Sequence, residues 1–579
     1  MHGESIPQKG VMKKFLSMLG KAHLPYLWMI GQIAVSVIVT NVGINVTEYT
    51  SEMFAGNVSF AGVILPFILY SLASLALAAV GGVADGVTTA KTDRSLRRML
   101  WKKIVRLPYG YYQKNDPEEM ISRLTTDITA VNSLIQQLLV GFFSTLYATV
   151  AVLQKLQNYD QKLMIVMVVL LPLQAVIAVL AGRLRFDFND KLNLRRAELT
   201  QSIAERTDQT MLIKSFGTQK KEELSVGKRI LAFYKAHGRN IWLSQLLSPV
   251  YTIVNVLQFV VLVMVGRSFY SSGAISLAQW VAFYAFSNQV INNLASYINY
   301  WTDIRATQGS TWRVANIMDA PEEKADEGEE AQNLSGDILL QNVSFAYEAD
   351  KPLFQNLNLV IPQGKTTAII GKSGSGKTTL LNLVDRLYEP EDGEIHVGQD
   401  AIARFSRRSY RKQLTYITQE TVFFAGTIRQ NLVYGLEREV EDEELLDVCR
   451  RVGLLEDLLS MPLQLETQVG EDGSRLSGGQ RQKLAVARAL LRPTEYFLID
   501  EGTAAMDAGA KEAVWETLLQ AAKGKTVVFV AHDRQTILKA EHVILMDNGA
   551  VIAQGSLEEL LESEPYLQSL MEVEDGEEE

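Results

Sequence analysis

The sequence predicts a chain built in two parts: an all-α polytopic membrane domain with six transmembrane helices, followed by an α/β domain on a parallel sheet. Three observations carry that reading. Asp, Glu, Lys and Arg are missing from six long segments of the first half, residues 22–47, 53–84, 128–154, 163–182, 240–266 and 268–302. After residue 337, short β-rich runs, KTTAIIG, YFLID and TVVFVAH, alternate with helical stretches. Between the first run and its helix lies GKSGSGKTT, Gly371 to Thr379.

A helix crossing the hydrocarbon core needs about 20 mostly apolar residues, and each uncharged segment is long enough. A soluble bundle would show a polar face on most of its helices. LMIVMVVLLPLQAVIAVLAG, residues 163–182, has none. The first segment follows Lys9, Lys13, Lys14 and Lys21 as a secretory signal would. Its uncharged run far exceeds the ~7–15 residues of a signal core, so it reads as a retained span.

Lysine and arginine give the orientation. Lys91, Arg94, Arg97, Arg98, Lys102, Lys103, Arg106, Lys114 and Arg123 crowd the connection after the second segment, and the one after the fourth is similarly basic. The first connection, 48–52, has neither residue type. The positive-inside rule then puts both termini, both long connections and everything after residue 302 in the cytoplasm, for a multi-pass protein of the cytoplasmic membrane.

Net charge, −10, says little about partners, because six acidic residues fall in the last nine, MEVEDGEEE, a solvated tail. No nucleic-acid partner is expected. Cys449 is the single cysteine, which excludes an intrachain disulfide and agrees with a reduced cytoplasmic thiol.

The long connections, 85–127 and 183–239, read as helix, so the membrane helices should continue beyond the bilayer and hold short tip segments below it. The resulting domains are a transmembrane domain at 1–318, a linker at 319–336, a nucleotide-binding domain at 337–570 and the tail at 571–579. Within the linker, APEEKADEGEEAQNLSG, residues 320–336, has the charge and low apolar content of an exposed connector.

Strand, glycine-rich turn and helix around Gly371 to Thr379 are the context a GxxxxGK[ST] phosphate loop requires, which makes the second domain a P-loop NTPase. Its glycines let backbone N–H groups turn toward phosphate oxygens, and the helix N-terminus adds partial positive charge. Gly371, Lys372, Ser373, Gly374, Ser375, Gly376, Lys377, Thr378 and Thr379 are therefore the expected ATP cradle. Lys377 would reach the β- and γ-phosphates and Thr378 would ligate Mg2+. YFLIDE, 496–501, ends an apolar strand in two carboxylates at the edge where such sheets bind ligand. Neighbouring strand residues point to opposite faces, so Asp500 is assigned to magnesium and Glu501 to the attacking water.

LSGGQ, Leu476 to Gln480, followed by the helical RQKLAVARALL, completes a set that closely resembles the ATP-binding cassette (ABC) family over nearly the whole chain. The resemblance implies that Tyr347 stacks on adenine, that Gln419 contacts magnesium and senses the membrane domain, and that His532 contacts the γ-phosphate. It implies that Ser477, Gly478, Gly479 and Gln480 complete the ATP site of a second subunit. A chain with six spans and one such domain then resembles an exporter-type half-transporter, a homodimer being favoured over a heterodimer by the complete motif set.

RLPYGYYQKNDPEEMISRLTTD, 106–127, and AERTDQTMLIKSF, 204–216, resemble the family's coupling segments, with Glu118 where glycine is common. TQVGEDG, 467–473, resembles the segment that touches the membrane domain. Other departures are Gly502, Ala504 and Met506 where Ala, Ser and Leu are usual, and Asp533 where Arg is frequent.

Asn288, Asn292, Ser296 and Asn299 fall on one face of the sixth span, facing either a substrate path or neighbouring helices. With no Lys, Arg, Asp or Glu in the spans, an amphipathic drug, peptide or lipid in contact with membrane lipid is the expected cargo. Expectation therefore rests on ATP-driven export by alternating access. Import of siderophores by the same fold and a nucleotide-gated channel or non-hydrolysing subunit are the alternatives.

Overall fold

The computed structural model describes residues 11–348, 350–419, 421–500 and 508–572. These residues form two compact units, one drawn from Met1–Ile104 and Pro117–Ala320, the other from Val105–Asp116 and Pro321–Glu579.

The first unit is helical. It opens with α1 (Val11–Lys21), α2 (Tyr26–Phe54) and α3 (Leu65–Ile104). After α4 (Tyr109–Lys114), which groups with the second unit, come α5 (Pro117–Ser122), α6 (Ile128–Gln136), α7 (Phe142–Tyr159) and α8 (Gln161–Asp208). The short α9 (Thr210–Ser215), α10 (Gln219–Ser271) and α11 (Leu277–Asp319) follow. Every uncharged segment thus lies largely within a long helical stretch, and those stretches continue past the apolar runs as expected. Tyr26–Phe54, Phe60–Ile104 and Pro117–Tyr159 are long and apolar enough to cross a membrane, and Val256–Ser271 is a shorter apolar helix.

Three π-helical turns, Phe60–Ile64, Arg123–Asp127 and Gln137–Gly141, interrupt the helical stretches. The sequence gives no local signal for them. Pro66 stands at the start of α3, just past the first π turn, while Pro172 and Pro249 lie inside α8 and α10. A buried apolar cluster joins Ile44 of α2, Val152 and Leu156 of α7, Leu163 and Met167 of α8, Leu262 of α10 and Phe283, Phe286 and Val290 of α11. Each fully buried side chain of this size contributes on the order of 1.5–3 kcal/mol in a water-exposed reference; within lipid the same residues act chiefly through close packing.

The second unit holds two sheets. β1 (Ile338–Glu348) and β2 (Lys351–Ile361) open it, then β3 (Thr366–Gly371), α12 (Lys377–Val384), β4 (Asp392–Val397) and β5 (Asp400–Ala401). Next come α13 (Arg407–Arg411), β6 (Leu414–Ile417), α14 (Ile428–Leu432), α15 (Asp442–Arg451), α16 (Leu455–Ser460) and α17 (Gly478–Leu490). The chain closes with β7 (Tyr496–Asp500), α18 (Ala508–Ala521), β8 (Thr526–Val530), α19 (Arg534–Ile537), β9 (His542–Asp547), β10 (Ala550–Ser556), α20 (Leu557–Ser563) and α21 (Pro565–Glu572). A four-stranded antiparallel sheet runs β2-β1-β4-β5 and a six-stranded sheet runs β10-β9-β3-β8-β7-β6. In the latter β9, β3, β8, β7 and β6 are parallel and β10 is antiparallel.

Alternation along the parallel strands divides the interior in two. Ile369, Leu498, Val528 and Ile544 share one core with Leu380, Leu381, Leu383 and Val384 of α12. Ala368, Ile370, Phe497, Ile499 and Phe529 share the other with Leu484, Val486 and Ala487 of α17. Since consecutive strand residues face opposite ways, α12 and α17 lie on opposite faces of one sheet.

The connector is exposed over most of its length and is also held at several points. Much of 320–336 is exposed, yet Ala331 and Leu334 are buried. The Glu323 N–H donates to the Arg106 carbonyl at 2.6 Å, and the Glu323 carboxylate pairs with Arg411 at 2.9 Å. Glu329 pairs with Arg404 at 2.7 Å. Glu323 and Glu329, part of the acidic composition that marks a solvated linker, are thus paired with arginines of the α/β unit.

Candidate functional site

The parallel strands end at one edge, and the loops that leave them carry most of the predicted residues. At the last residue of β3, Gly371 has φ +155° and an added Cβ would sit 2.1 Å from the Met546 carbonyl oxygen; at Gly376, φ +102°, it would meet the Phe354 ring at 2.5 Å. Only glycine fits at either position. Between them Lys372, Ser373 and Gly374 are exposed, while Ser375 and Lys377 are buried.

Lys377 Nζ donates to the carbonyls of Gly371 and Lys372 at 2.8 and 2.9 Å, curling the side chain over its own loop. The Ser375 hydroxyl is buried with no hydrogen-bond partner among the described residues. α12 starts at Lys377, and its first turn presents N–H groups without intrahelical acceptors. An orphaned hydroxyl, a helix start whose first N–H groups lack intrahelical acceptors, a buried ammonium and a loop with no room for side chains fit a polyphosphate anion. Thr378, on the same turn, is exposed and open to a ligand.

Asp500 ends β7 and is buried, opposite Val530 in register. Tyr496 and Leu498 belong to the α12 side of the sheet, so strand alternation turns Asp500 to that side as well. Its charge reaches Tyr416, whose phenol is pushed up mainly by burial and then by Asp500; the Tyr416 hydroxyl donates to Asn382 on α12 at 3.1 Å. Thr378, Asp500 and Gln419 would offer only oxygen donors, which suits a hard divalent cation such as Mg2+.

Gln419 lies two residues past β6 and His532 two past β8, both exposed at that strand-end edge. Glu501 lies outside the described residues, as do Gly502, Ala504 and Met506. Tyr347 is 38% exposed, shares a 2.8 Å hydrogen bond with Thr379, and meets Phe345 and Tyr388 edge-on at 5.0 and 5.2 Å. The phosphate loop and the aromatic proposed for adenine are thus tied together.

The signature residues lie elsewhere. Ser477 caps α17 and forms a capping box with Gln480: each side chain accepts from the other's backbone N–H, at 3.2 and 3.0 Å. Gln480 Nε2 also donates to Asp457 at 3.0 Å. SGGQ matches the S-x-x-Q capping pattern, a signal legible in the sequence. Because α17 and α12 lie on opposite faces, one chain does not gather both helix starts on one side of its sheet.

Sequence reasoning missed Tyr388. It contacts Tyr109 edge-on at 5.7 Å, donates to Gln113 of α4 and lies 3.0 Å from where a Cβ on Gly110 would be. The segment 105–116 thus packs against the ring beside Tyr347. Nothing in local spacing signals a pairing across 275 residues. On the Asn face of α11, Asn292 and Asn299 are exposed, whereas bonds to α7 come from the adjoining face: Asn293 donates to Thr149 at 3.1 Å, and hydroxyl pairs join Tyr300 with Thr145 at 3.0 Å and Tyr297 with Thr149 at 3.5 Å.

Residues 26–294 match the family described as ABC transporter transmembrane region, and residues 354–504 match ABC transporter. The chain is 28% identical, over 98% of its length and 96% of the relative's, to a multidrug resistance ABC transporter ATP-binding and permease protein of Lactococcus lactis subsp. lactis (strain IL1403). It is 29% identical, over 84% of both chains, to an ATP-dependent lipid A-core flippase of Pseudoalteromonas translucida (strain TAC 125). A bacterial Atm1-family ABC exporter solved with ATP bound superposes with a TM-score of 0.82 at 20% identity, covering 96% of this chain and 98% of that one.

Proposed function

Because the chain belongs to the ABC transporter family, we propose that it is one half of an ATP-driven exporter of amphipathic molecules, working as a homodimer by alternating access. ATP hydrolysis coupled to export is the activity of such chains. The observation that carries the dimeric reading is the placement of α12 and α17 on opposite faces of one sheet. A nucleotide held at Lys377 therefore takes Ser477, Gly478 and Gly479 from a second chain.

In this reading Lys377 leaves the Gly371 and Lys372 carbonyls for the β- and γ-phosphates, while loop and α12 N–H groups hold the remaining phosphate oxygens. Thr378, Asp500 and Gln419 would hold Mg2+, which when bound neutralises charge on the β- and γ-phosphates. Glu501 orients and activates the attacking water, His532 donates to the γ-phosphate, and Tyr347 stacks on adenine. Closure of the two cassettes is carried to the membrane helices through the tip segments around α4 and α9.

Six spans, with both termini and both tip segments cytoplasmic, complete the reading, with 319–336 joining a membrane domain at 1–318 to a cassette at 337–570. The activities for which the relatives are named, multidrug resistance and lipid A-core flipping, support an amphipathic cargo, and exposed Asn292 and Asn299 support an uncharged polar wall for it. The test is reconstitution. Magnesium-dependent ATPase activity should vanish with Glu501→Gln, and ATP should drive an amphipathic dye into inside-out vesicles. Dye efflux from those vesicles, or ATPase activity untouched by Glu501→Gln, overturns the reading.

A further inference from the structure

The basic residues of α3 divide by face. Arg97 pairs with Asp93 at 2.6 Å, and buried Lys103 donates to the Ala320 carbonyl. Lys91, Arg94, Arg98 and Lys102 are exposed instead, and none of them pairs with a carboxylate among the described residues. Asp85, at the end of the apolar run, accepts from Gln32 of α2 at 2.6 Å.

That outward face continues an apolar one. Residues eleven apart share a helix face, since eleven residues make just over three turns. Leu69, Val80, Lys91 and Lys102 form one such row, and Leu72, Val83 and Arg94 form a second beside it. Every member is exposed, within a helix that runs unbroken from Leu65 to Ile104. Each row is apolar up to Ala84, where the uncharged run ends, and basic after it.

Lys91 stands about 10 Å past Ala84 at ~1.5 Å per residue, close below a headgroup layer roughly 5–7 Å deep. Side chains tilt toward the N-terminus of their helix, which for Lys91 and Arg94 is the membrane side. Both cations therefore reach back toward the headgroups, as long basic side chains do at membrane edges. Lys91 Nζ lies 3.6 Å from the ring centre of Trp28, in the first turn of α2; aromatic residues of this kind settle at headgroup level. The Ser95 hydroxyl donates to the carbonyls of Ala22 and His23, which holds the turn before α2 against the same stretch of α3.

We propose that Lys91 and Arg94, with Trp28, form a headgroup site for an anionic phospholipid of the cytoplasmic leaflet. The lipid phosphate lies between ammonium and guanidinium, and the acyl chains run along Leu72, Val80 and Val83. This rests on the orientation given above, in which α3 leaves the membrane on the cytoplasmic side. Lys102 lies about 16 Å deeper on its row, beyond the ~8 Å over which surface charge acts at physiological salt, and takes no part.

The experiment uses the full-length dimer in phosphatidylcholine nanodiscs doped with phosphatidylglycerol that carries a photoactivatable group on its head. Cross-links mapped by peptide mass spectrometry should include residues 22–30 and 85–95 and should weaken as salt is raised. Lys91→Gln should reduce them about fivefold, the attraction of one basic residue to an anionic surface. Lys91→Gln/Arg94→Gln should reduce them further, while Lys91→Arg/Arg94→Lys and Lys102→Gln should leave them near the wild-type level.

Equal labelling by a phosphatidylcholine probe, cross-links that persist in the double Gln variant, or an equal loss in Lys102→Gln overturns the proposal. So does dissociation of the double variant into monomers, which would give the surface to a second copy of the chain, and so does displacement by inorganic phosphate at constant ionic strength. Should the Gln variants fail to fold, the wild-type salt series decides, and cross-links indifferent to salt overturn the site. Orientation is tested separately with Lys102→Cys, in a chain whose native Cys449 is buried. An impermeant maleimide should label it in inside-out vesicles and not in intact cells. Labelling in intact cells overturns the orientation and the leaflet, whereas loss of the charge-dependent cross-links overturns the headgroup site alone.

Discussion

Asp127 and Arg313 meet in a two-point ion pair: Arg313 Nε and Nη2 lie 2.8 and 2.6 Å from the two carboxylate oxygens. Asp127 closes a π-helical turn before α6 and is only 4% exposed, while Arg313 sits near the end of α11. The hydrogen bonds that Arg313 donates to Asp127, ahead of the opposing desolvation, hold the guanidinium above its ordinary range. The pair joins the extension of one long helical stretch to the last turns of another.

Arg313→Met should lower stability more than Asp127→Asn/Arg313→Met. Removing the cation leaves a buried carboxylate unpaired, and breaking a fully buried pair costs about 3–5 kcal/mol. Arg313 is nearly half exposed, so about 2 kcal/mol is expected after discounting for solvent. Apparent melting temperature in nanodiscs, compared across the two single variants and the double one, checks the order. A double variant no more stable than Arg313→Met would contradict it.

Two glycines of the phosphate loop should respond differently to a methyl group. Gly371→Ala drives a Cβ to 2.1 Å from the Met546 oxygen at the centre of the parallel sheet, whereas Gly374, φ +81°, has nothing within 4 Å. Gly374→Ala carries backbone strain alone, about 1–3 kcal/mol. Gly371→Ala adds a backbone clash that only separation of β3 from β9 relieves. Gly371→Ala should therefore yield little folded protein, and Gly374→Ala should fold with a modestly lowered melting temperature. Equal yields and melting temperatures would refute the distinction.

The parallel sheet, the phosphate loop and the carboxyl strand were legible because strand alternation, glycine spacing and a following helix are local patterns. So were the helical extensions beyond the apolar runs. What escaped the sequence is made of distant pairs: Asp127 with Arg313, Tyr388 with Gln113, Lys511 with Asp533 and Glu323 with Arg411. Their members lie far apart or carry no motif, and a lone charge looks the same in a sequence whether solvated or paired. For that reason composition shows the exposure of most of 320–336 but not its ion pairs. The division of α11 into an exposed Asn292 and Asn299 face and a bonded Asn293 face also needed the neighbouring helix, since periodicity gives the angle between faces and not what covers each.

Asp385 makes stability depend on pH. Burial raises its carboxyl to about 6, against the lowering pull of Arg411 and Arg492. A carboxyl raised in the folded state binds its proton more tightly there than in the unfolded chain. Its contribution is therefore favourable below the unfolded value of 3.8 and is lost as pH climbs toward about 6. The difference is on the order of 3 kcal/mol. The melting temperature of wild type relative to Asp385→Asn should fall between pH 4.5 and 7 and stay level above it. A difference that rises with pH would reverse the sign and refute the assignment.

Mixing two inactive variants tests where the ATP sites are built. Homodimers of Lys377→Ala lack a phosphate-loop cation at both sites, and homodimers of Ser477→Ala lack the α17 cap at both. Suppose each site joins the α12 start of one chain to the α17 start of the other, as their placement on opposite sheet faces implies. A mixed dimer then collects both defects at one seam and leaves the other intact. Suppose instead each chain builds its own site: both sites of the mixed dimer are defective. Co-expression with two affinity tags isolates the mixed species, and the readouts are nucleotide retained per dimer and residual ATPase activity. One retained nucleotide per dimer, absent from both parent homodimers, is the expected outcome. Retention no greater than in the parents would place each site within a single chain and remove the physical reason for a second one.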